Sequence, residues 1–305
     1  MVAFFEGYYV KCSWKQDTVA VIFGRSACGK DKISFIQIVT RDNSYCQKFE
    51  FKDYFVSRRD FEMRVGTNHV TKKGMVLDIQ SKELKVTGKV KFDEFDKIKY
   101  DAMGPFKLLP FMECRHSVIS MQHKISGEIR INETVYSFDD GVGYIEGDRG
   151  KSFPRKYFWS QVNKDSASVF ASCARIPYLG IRFKGTICII HFNGQEFRLA
   201  TYLGARVKVF NESKLVIRQG RRKKKYCLEV EALDEKATNT RPLLAPLGGK
   251  MSRVIQESVE RTVNYKFTRG AQTIFDFTSS RAAFEYSKIK NEKSKEDFMV
   301  SEHKN

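Results

Sequence analysis

Short apolar segments with a period of two run through most of the chain. In the clearest case, Leu84, Val86 and Val90 alternate with lysines and a threonine. Successive side chains of a strand point to opposite faces, so this pattern predicts one buried face and one wet, basic face. Similar segments, separated by Gly and Asn turns, are Val19–Phe23, Ser34–Val39, Glu62–Val65, Thr186–Phe192, Val207–Phe210 and Tyr226–Ala232. Many short strands at near-regular spacing predict an all-β fold of barrels or sandwiches with few short helices.

One segment has a spacing that also suits a helix. Between residues 251 and 263, apolar residues recur at intervals of mostly three and four, which predicts a short helix. Neighbouring β-branched residues in the same segment would suit a strand equally well.

The 305 residues are enough for two domains or one large β domain. A turn-rich stretch at 122–127 separates two sets of strand signals, which predicts an N-terminal half over 1–125 and a C-terminal half over 126–288. The Lys- and Glu-rich segment 289–305 is predicted to be a polar, disordered tail.

The chain carries 54 Lys and Arg against 36 Asp and Glu, a net charge of +18. Such a surplus favours an anionic partner, either nucleic acid or an anionic membrane face, although a basic solvated surface explains it equally well. The basic residues are spread widely apart from Arg221–Lys225, and no nucleic-acid-binding module is recognisable. Nucleic acid is therefore the least favoured partner.

The seven cysteines are scattered and none belongs to a CxxC pair, which disfavours a zinc site or a disulfide framework. The five histidines form no HExxH or HxH pattern, so no metal is predicted. No signal peptide and no run of about 20 apolar residues is recognisable. These features predict a cytoplasmic protein, and the positive charge suggests peripheral contact with an anionic membrane.

One segment matches the phosphate-binding pattern GxxxxGK, from Gly24 to Lys30. The next residue is Asp31 in place of the Ser or Thr that binds Mg²⁺, and its carboxylate would repel phosphate. Strand-like residues follow, whereas such a loop needs a helix N-terminus. The segment is therefore predicted to connect a β-hairpin rather than to bind a nucleotide.

The segment Gly143–Asn163 combines aromatic and charged residues most densely. Its aromatic members are Tyr144, Phe153, Tyr157, Phe158 and Trp159, and its main charged members are Glu146, Asp148, Arg149 and Arg155. A barrel mouth lined in this way suits an apolar ligand with a few polar anchors. A core-forming loop with an internal ion pair is the alternative.

The motifs of this chain resemble those of the tocopherol cyclase-like family. Its segment GYIEGDRGKSFP, followed by FW and QVN within 143–163, is similar to that family's GYxEKxWGxxFPxxWxWxQxN signature. Shorter resemblances, in the same order as in the family, occur at Phe5–Tyr9, Ile22–Gly24, Phe35–Gln37, Leu244–Met251 and Ala282–Glu285.

The resemblance implies two lipocalin-like antiparallel β-barrel halves of the calycin type, related to carotenoid hydratases. It implies an isomerase, an intramolecular lyase that protonates an alkene of a prenylated hydroquinone so that the phenol oxygen closes a ring. It implies a lipophilic small-molecule partner, no metal and no cofactor. The needs are an acid and a dry aromatic pocket that tolerates positive charge.

The resemblance also singles out site residues. Glu146 is the leading candidate acid, followed by Glu6 and Glu285, although a buried carboxylate that bridges strands is the alternative for each. The candidate substrate-binding residues are Tyr8, Tyr144, Asp148, Arg149, Phe153, Phe158, Trp159, Gln161 and Asn163. Tyr8 replaces a family Trp, and Gly147 to Arg149 replace a Lys-x-Trp element, so the substrate stays open.

Two other functions remain alternatives, a non-enzymatic binder of lipophilic molecules and a basic protein associated with nucleic acid. An enclosed pocket with a buried, unpaired carboxyl group would favour the enzyme. An apolar pocket without such a group would favour the binder. A flat basic surface over filled barrels would favour the nucleic-acid protein. The sequence indicates no oligomeric state.

Overall fold

The computed structural model describes residues 3–110, 112–178, 180–221, 225–234 and 240–289. Regular structure in these ranges is almost all antiparallel β-strand, which confirms the predicted all-β fold. The described 3-10 helices are short and span Phe51–Asp53, Gly104–Leu108 and Thr201–Leu203. The predicted tail beyond residue 289 and the centre of the basic run at 221–225 lie outside the described residues.

The first half of the chain forms one twelve-stranded sheet. Its strands are β1 (Phe4–Trp14), β2 (Asp17–Cys28), β3 (Asp31–Thr40), β4 (Ser44–Glu50), β5 (Tyr54–Val56), β6 (Glu62–Val65), β7 (Asn68–Thr71), β8 (Gly74–Gln80), β9 (Lys85–Phe92), β10 (Cys114–Ile131), β11 (Thr134–Ser137) and β12 (Gly141–Gly150). The order is β4-β3-β2-β1-β12-β10-β9-β8-β7-β6-β5, with β11 paired to β10. The last strand, β12, thus returns to pair with the first.

The rest of the chain forms a ten-stranded sheet on the same plan. Its strands are β13 (Lys156–Lys164), β14 (Ala167–Tyr178), β15 (Ile181–Phe192), β16 (Gln195–Ala200), β17 (Arg206–Phe210), β18 (Lys214–Gln219), β19 (Tyr226–Ala232), β20 (Arg241–Leu247), β21 (Lys250–Arg269) and β22 (Gln272–Lys288). The order is β16-β15-β14-β13-β22-β21-β19-β18-β17, with β20 paired to β21. Here β22 returns to pair with β13, as β12 does with β1.

Each sheet curls around its own apolar core, to which strands from across the sheet contribute. The end strands β4 and β5 are joined by a 3-10 helix, and β16 and β17 are joined in the same way. Neither pair forms a ladder in the described residues, so the expected barrel halves are curled sheets that do not close completely.

A third apolar cluster lies between the two sheets. The strands at this contact are covered on both faces, which explains why Val19–Phe23 in β2 is apolar without alternation. In contrast, β9 alternates between buried and exposed residues because only one of its faces is covered. Gln37 of β3 joins the sheets by donating to the Leu244 carbonyl at 2.9 Å and accepting from the Leu244 amide at 2.8 Å.

The prediction of a helix between 251 and 263 is wrong. These residues belong to β21, which pairs with β19, β20 and β22. The apolar spacing that suits a helix also places Ile255 and Val259 on one face of a strand, because an interval of four satisfies a period of two. Register shifts in β21 then turn Val263 into the core of the second sheet. Pairing with three neighbours then decides in favour of the strand.

The division between the sheets differs from the predicted boundary after residue 125. That boundary falls within β10, and the chain passes from one sheet to the other at residues 151–155. A sharp feature inside β10 accounts for the turn signal, since Gly127 has a φ of 130° and a Cβ there would lie 2.1 Å from the Lys89 carbonyl oxygen. The glycine permits a bend rather than ending the strand.

The phosphate-loop pattern is confirmed as a hairpin connection. Its residues 24–28 belong to β2, and a tight turn with Gly29 at a φ of 62° leads into β3. No helix begins there. Within the described residues, no helix has the length and apolar character needed to cross a membrane.

Candidate active site

A cavity with a volume of about 190 Å³ lies between the two sheets. Its walls are mainly apolar and come from β1, β2, β3, β10, β12 and the β9–β10 connection on one side and from β13, β14, β15, β20, β21 and β22 on the other. Five carboxylic residues also line it, namely Glu113, Glu146, Asp148, Glu257 and Glu285. An apolar cavity with few polar groups is the usual form of a small-molecule site.

Strand alternation places the polar groups in this cavity. On β12, Tyr144, Glu146 and Asp148 share the face that meets the second sheet. On β13, Tyr157 and Trp159 share the face that meets the first sheet. The sheets therefore bring together residues that alternate along distant strands.

Glu146 is held by donors from both sheets. The Tyr144 hydroxyl donates to Glu146 Oε2 at 2.5 Å, and Trp159 Nε1 donates to the same oxygen at 3.1 Å. His116 Nε2 lies 3.5 Å from that oxygen. Burial raises the pKa of Glu146, and the His116 charge opposes the shift. The donors and His116 oppose burial only in part, so the pKa of Glu146 is raised to about 7.

His116 bridges two carboxyl groups. Its Nδ1 lies 3.0 Å from Asp148 Oδ1, and its ring stacks on Phe170 with centroids 4.8 Å apart. Burial alone would lower the pKa of His116, but Asp148 and Glu146 outweigh it and raise the pKa to about 9. His116 is therefore an imidazolium at neutral pH and neutralises part of the negative charge in the cavity.

A second carboxyl pair lies on the opposite wall. Glu257 of β21 and Glu285 of β22 are direct cross-strand partners, and they are 4% and 6% exposed. Burial raises the pKa of Glu257 to about 7, and burial together with the Glu257 charge raises that of Glu285 well above its usual range. Two adjacent buried carboxyls cannot both ionise cheaply, so at least one holds a proton at neutral pH.

The two members of this pair differ in their partners. Tyr157 donates a hydrogen bond to Glu285 Oε1, which is thereby occupied. Glu257 Oε1 and the Tyr9 hydroxyl are both buried and make no hydrogen bond of ordinary geometry within the described part of the chain, but they lie close enough for Tyr9 to lower the pKa of Glu257. An unsatisfied buried oxygen disfavours the carboxylate form. Both carboxyls are thus suited to hold a proton, and Glu257 is the one whose oxygen is not occupied by Tyr157.

One group of side chains could also hold a metal ion. Ligand atoms of His116, Glu146 and Asp148 all lie within 4.8 Å of one another. His116 Nδ1 and Asp148 are already joined by a hydrogen bond, whereas His116 Nε2 has no hydrogen-bond partner among the described residues.

The structure brings together only some of the residues singled out from the sequence. Glu146, Glu285, Asp148, Phe153 and Trp159 line the cavity. Tyr144 lies behind Glu146 as its hydrogen-bond donor. The others lie outside the cavity lining, namely Glu6, Tyr8, Arg149, Phe158, Gln161 and Asn163.

Alternation explains these differences. Glu6 and Tyr8 point away from the cavity into the first sheet, where Glu6 pairs with Arg25 at 3.0 Å. Phe158 is fully buried inside the second sheet, one position from Trp159, and Arg149 is exposed. Gln161 and Asn163 face the first sheet farther along β13. Neighbouring residues of one sequence motif therefore lie on two opposite faces of a strand.

Sequence reasoning missed Glu257, His116, Tyr9 and a site role for Tyr157. Glu257 had a detectable signal, because a strand reading of 251–263 places it on the same face as Ile255 and Val259. A carboxyl group in a row of apolar residues marks a buried acid. His116 had no such signal, because its partners lie 30 or more positions away.

The comparisons with known proteins agree with this architecture. A family model described as tocopherol cyclase-like matches residues 78–287. The chain belongs to the tocopherol cyclase-like family. The matched region contains the Gly143–Asn163 signature and the closing motifs, whereas the resemblances at 5–9, 22–24 and 35–37 precede it. No significant match is found among curated proteins.

Solved structures of the same fold include two with named activities or ligands. The structure of CghA with Sch210972 aligns with a TM-score of 0.60 at 7% identity and covers 94% of this chain and 89% of that chain. Kievitone hydratase from Nectria haematococca aligns with a TM-score of 0.53 at 10% identity and covers 94% and 89%, respectively. At these identities the likeness establishes the lipocalin-like fold of this family member and not its substrate.

Proposed function

We propose that this tocopherol cyclase-like protein is an enzyme that protonates an alkene of a lipophilic substrate in the cavity between its sheets. The observation that carries the proposal is the buried, unpartnered carboxyl oxygen of Glu257 in the wall of a mainly apolar cavity. A cavity that only binds a ligand does not require two adjacent buried acids such as Glu257 and Glu285. Such groups are costly to bury and are typical of functional sites.

The environments of the carboxyl groups divide the roles. Glu257, with a pKa raised to about 7, supplies the proton to the alkene. Glu146, which accepts hydrogen bonds from Tyr144 and Trp159 and lies 3.5 Å from His116 Nε2, acts as the carboxylate that accepts a proton. Burial raises the pKa of both Glu146 and Glu257 to about 7, so the roles are assigned from their hydrogen-bond partners and not from a difference in pKa. Glu257 thereby takes the place of Glu146 as the leading candidate acid.

These roles balance a ring closure without any co-reactant. The proton of Glu257 forms a C–H bond at one alkene carbon, and the phenol oxygen adds to the other carbon. The phenol proton leaves to Glu146, so that the product is an isomer of the substrate. Tyr9, Tyr157 and Trp159 present aromatic rings to the cavity, which stabilise the cationic carbon.

The reaction can be tested in deuterated water. We expect a prenylated hydroquinone to be converted to an isomer that carries one solvent deuterium on carbon in D₂O and none in H₂O. Mass spectrometry and NMR of the product locate the label. Substrates that bind tightly but are recovered unchanged, from a panel of prenylated hydroquinones and terpenoid alkenes, would instead support the non-enzymatic binder.

We place the protein in the cytoplasm, in peripheral contact with anionic membrane. Its seven cysteines are all unpaired, which is typical of a reducing compartment. The connection between β9 and β10 places Phe106 in the cavity wall and Leu108, which is 77% exposed, two residues away. Phe106 also contacts Phe183, near Ile181, which is 63% exposed. These apolar tips, among basic neighbours in a chain of net charge +18, suit an anionic lipid surface.

Vesicle binding tests this contact. We expect the protein to co-sediment with vesicles containing phosphatidylserine at low salt, and the L108S/I181S double variant to bind several-fold less, since each apolar tip contributes burial. The matched control is V135S, which changes an exposed valine on β11. Equal binding to neutral and anionic vesicles would contradict the proposed membrane contact.

A further inference from the structure

A second, smaller cavity of about 90 Å³ lies farther along β1, at the same contact between the sheets. It shares no lining residue with the larger cavity that Glu146 and Glu257 line. Its lining residues are Lys11, Ser13, Trp14, Val142, Asn163 and Arg281. Two of the six are cations, and none is a carboxylic acid.

Lys11 is unusual in being only 3% exposed. Its Nζ donates to Gln161 Oε1 at 3.1 Å and to the Arg281 carbonyl at 3.2 Å. An ammonium has three N–H donors, so one has no acceptor among the described residues. Burial lowers the pKa of Lys11 to about 7.

Two further donors accompany Lys11. The Arg281 guanidinium lies close enough to disfavour the Lys11 charge, and its Nη1 donates to the Lys15 carbonyl at 3.0 Å, which leaves other N–H groups available. The Ser13 hydroxyl oxygen is buried and has no hydrogen-bond partner in the described part of the chain. Like charges and an unsatisfied hydroxyl thus meet at one small cavity.

Acidic groups behind the cavity reduce its excess of positive charge without cancelling it. Glu257 and Glu260 lie near enough to favour the charged form of Lys11. Neither lines the cavity, and both hydrogen bonds from Lys11 go to neutral oxygens. A buried ammonium whose acceptors are neutral is costly unless an anion completes its shell.

We propose that this cavity is a binding site for a small oxyanion, held by Lys11, Arg281 and Ser13. An oxyanion would accept hydrogen bonds from the free N–H of Lys11, from an N–H of Arg281 and from the Ser13 hydroxyl. Its negative charge would also offset the repulsion between the two cations. Hydrogen bonds between charged groups of this kind are stronger than those between neutral groups. Tetrahedral anions such as sulfate and planar ones such as acetate present the same chemistry and differ in shape.

Calorimetric titration of the full chain with sodium sulfate tests the site, with acetate as the planar probe. Ionic strength is held constant with chloride. We expect one sulfate or acetate to bind per chain, and the tighter of the two identifies the preferred shape. K11M should weaken binding by roughly tenfold or more, because a charge-assisted hydrogen bond is lost. R281Q should weaken it in the same direction.

The control is K89Q, which removes one charge from an exposed lysine on β9 and should leave binding unchanged. Binding should weaken from pH 6 to pH 9 as Lys11 loses its proton, because sulfate does not titrate in this range. If K11M fails to fold, R281Q decides. The proposal is overturned if neither anion saturates, or if folded K11M or R281Q binds as tightly as the wild type.

Discussion

Replacing Glu257 by glutamine should lower kcat by roughly 10²–10⁴-fold, the usual contribution of a positioned general acid. Glutamine keeps the size and polarity of the side chain but has no proton to give to an alkene. In the wild type, activity should fall as the pH rises through about 7, where Glu257 loses its proton, and also as the pH falls below about 7, where Glu146 gains one. The measurement is single-turnover conversion of an accepted prenylated substrate between pH 5 and pH 9.

Comparison variants separate the acid from its neighbours. E83Q changes an exposed glutamate and should keep wild-type turnover. E146Q should also lose activity, but by removing the proton acceptor. Full turnover by E257Q would exclude Glu257 as the acid, and loss in E285Q alone would transfer the role to the other member of the pair.

The same E257Q substitution should stabilise the folded protein at high pH. The pKa of Glu257 rises from 4.5 in the unfolded chain to about 7 in the folded one, so the folded state binds more protons between these values. Its favourable contribution is complete below pH 4.5 and is lost as the pH rises through 7. At pH 8, E257Q should therefore exceed the wild type by on the order of 3 kcal/mol in free energy of unfolding.

Urea unfolding at pH 4 and pH 8 measures this difference. The two proteins should have similar stability at pH 4, where the glutamate is neutral in both states. His116, with a pKa raised to about 9, also loses its stabilising contribution as the pH rises, but does so in wild type and variant alike. E83Q should follow the wild type at both pH values. Equal stability of E257Q and wild type at pH 8 would show that Glu257 ionises without cost.

A variant that is more stable yet inactive would give the buried carboxyl pair a functional explanation. Glu257 and Glu285 oppose each other across adjacent strands, an arrangement that folding alone disfavours. Active sites often keep such destabilising groups because the chemistry needs them.

Much of the fold could be predicted from the sequence because strand patterns are local. The alternation in β9 and the turn at Gly29 each depend on a few consecutive residues. The family could be recognised for a similar reason, since the 143–163 signature lies in one stretch of chain. The strand β21 was missed because its apolar intervals satisfy two periods at once, and only pairing with other strands separates them.

The sequence by itself determined that the chain is an all-β member of the tocopherol cyclase-like family and that Glu146, Asp148 and Trp159 belong to one segment. Only the tertiary structure decided which side chains meet. Each strand offers two faces, and the packing of one curled sheet on the other selects the face that lines the cavity. Glu146 and Glu257 lie more than a hundred positions apart, so no local pattern relates them, and the contact between the sheets creates the site.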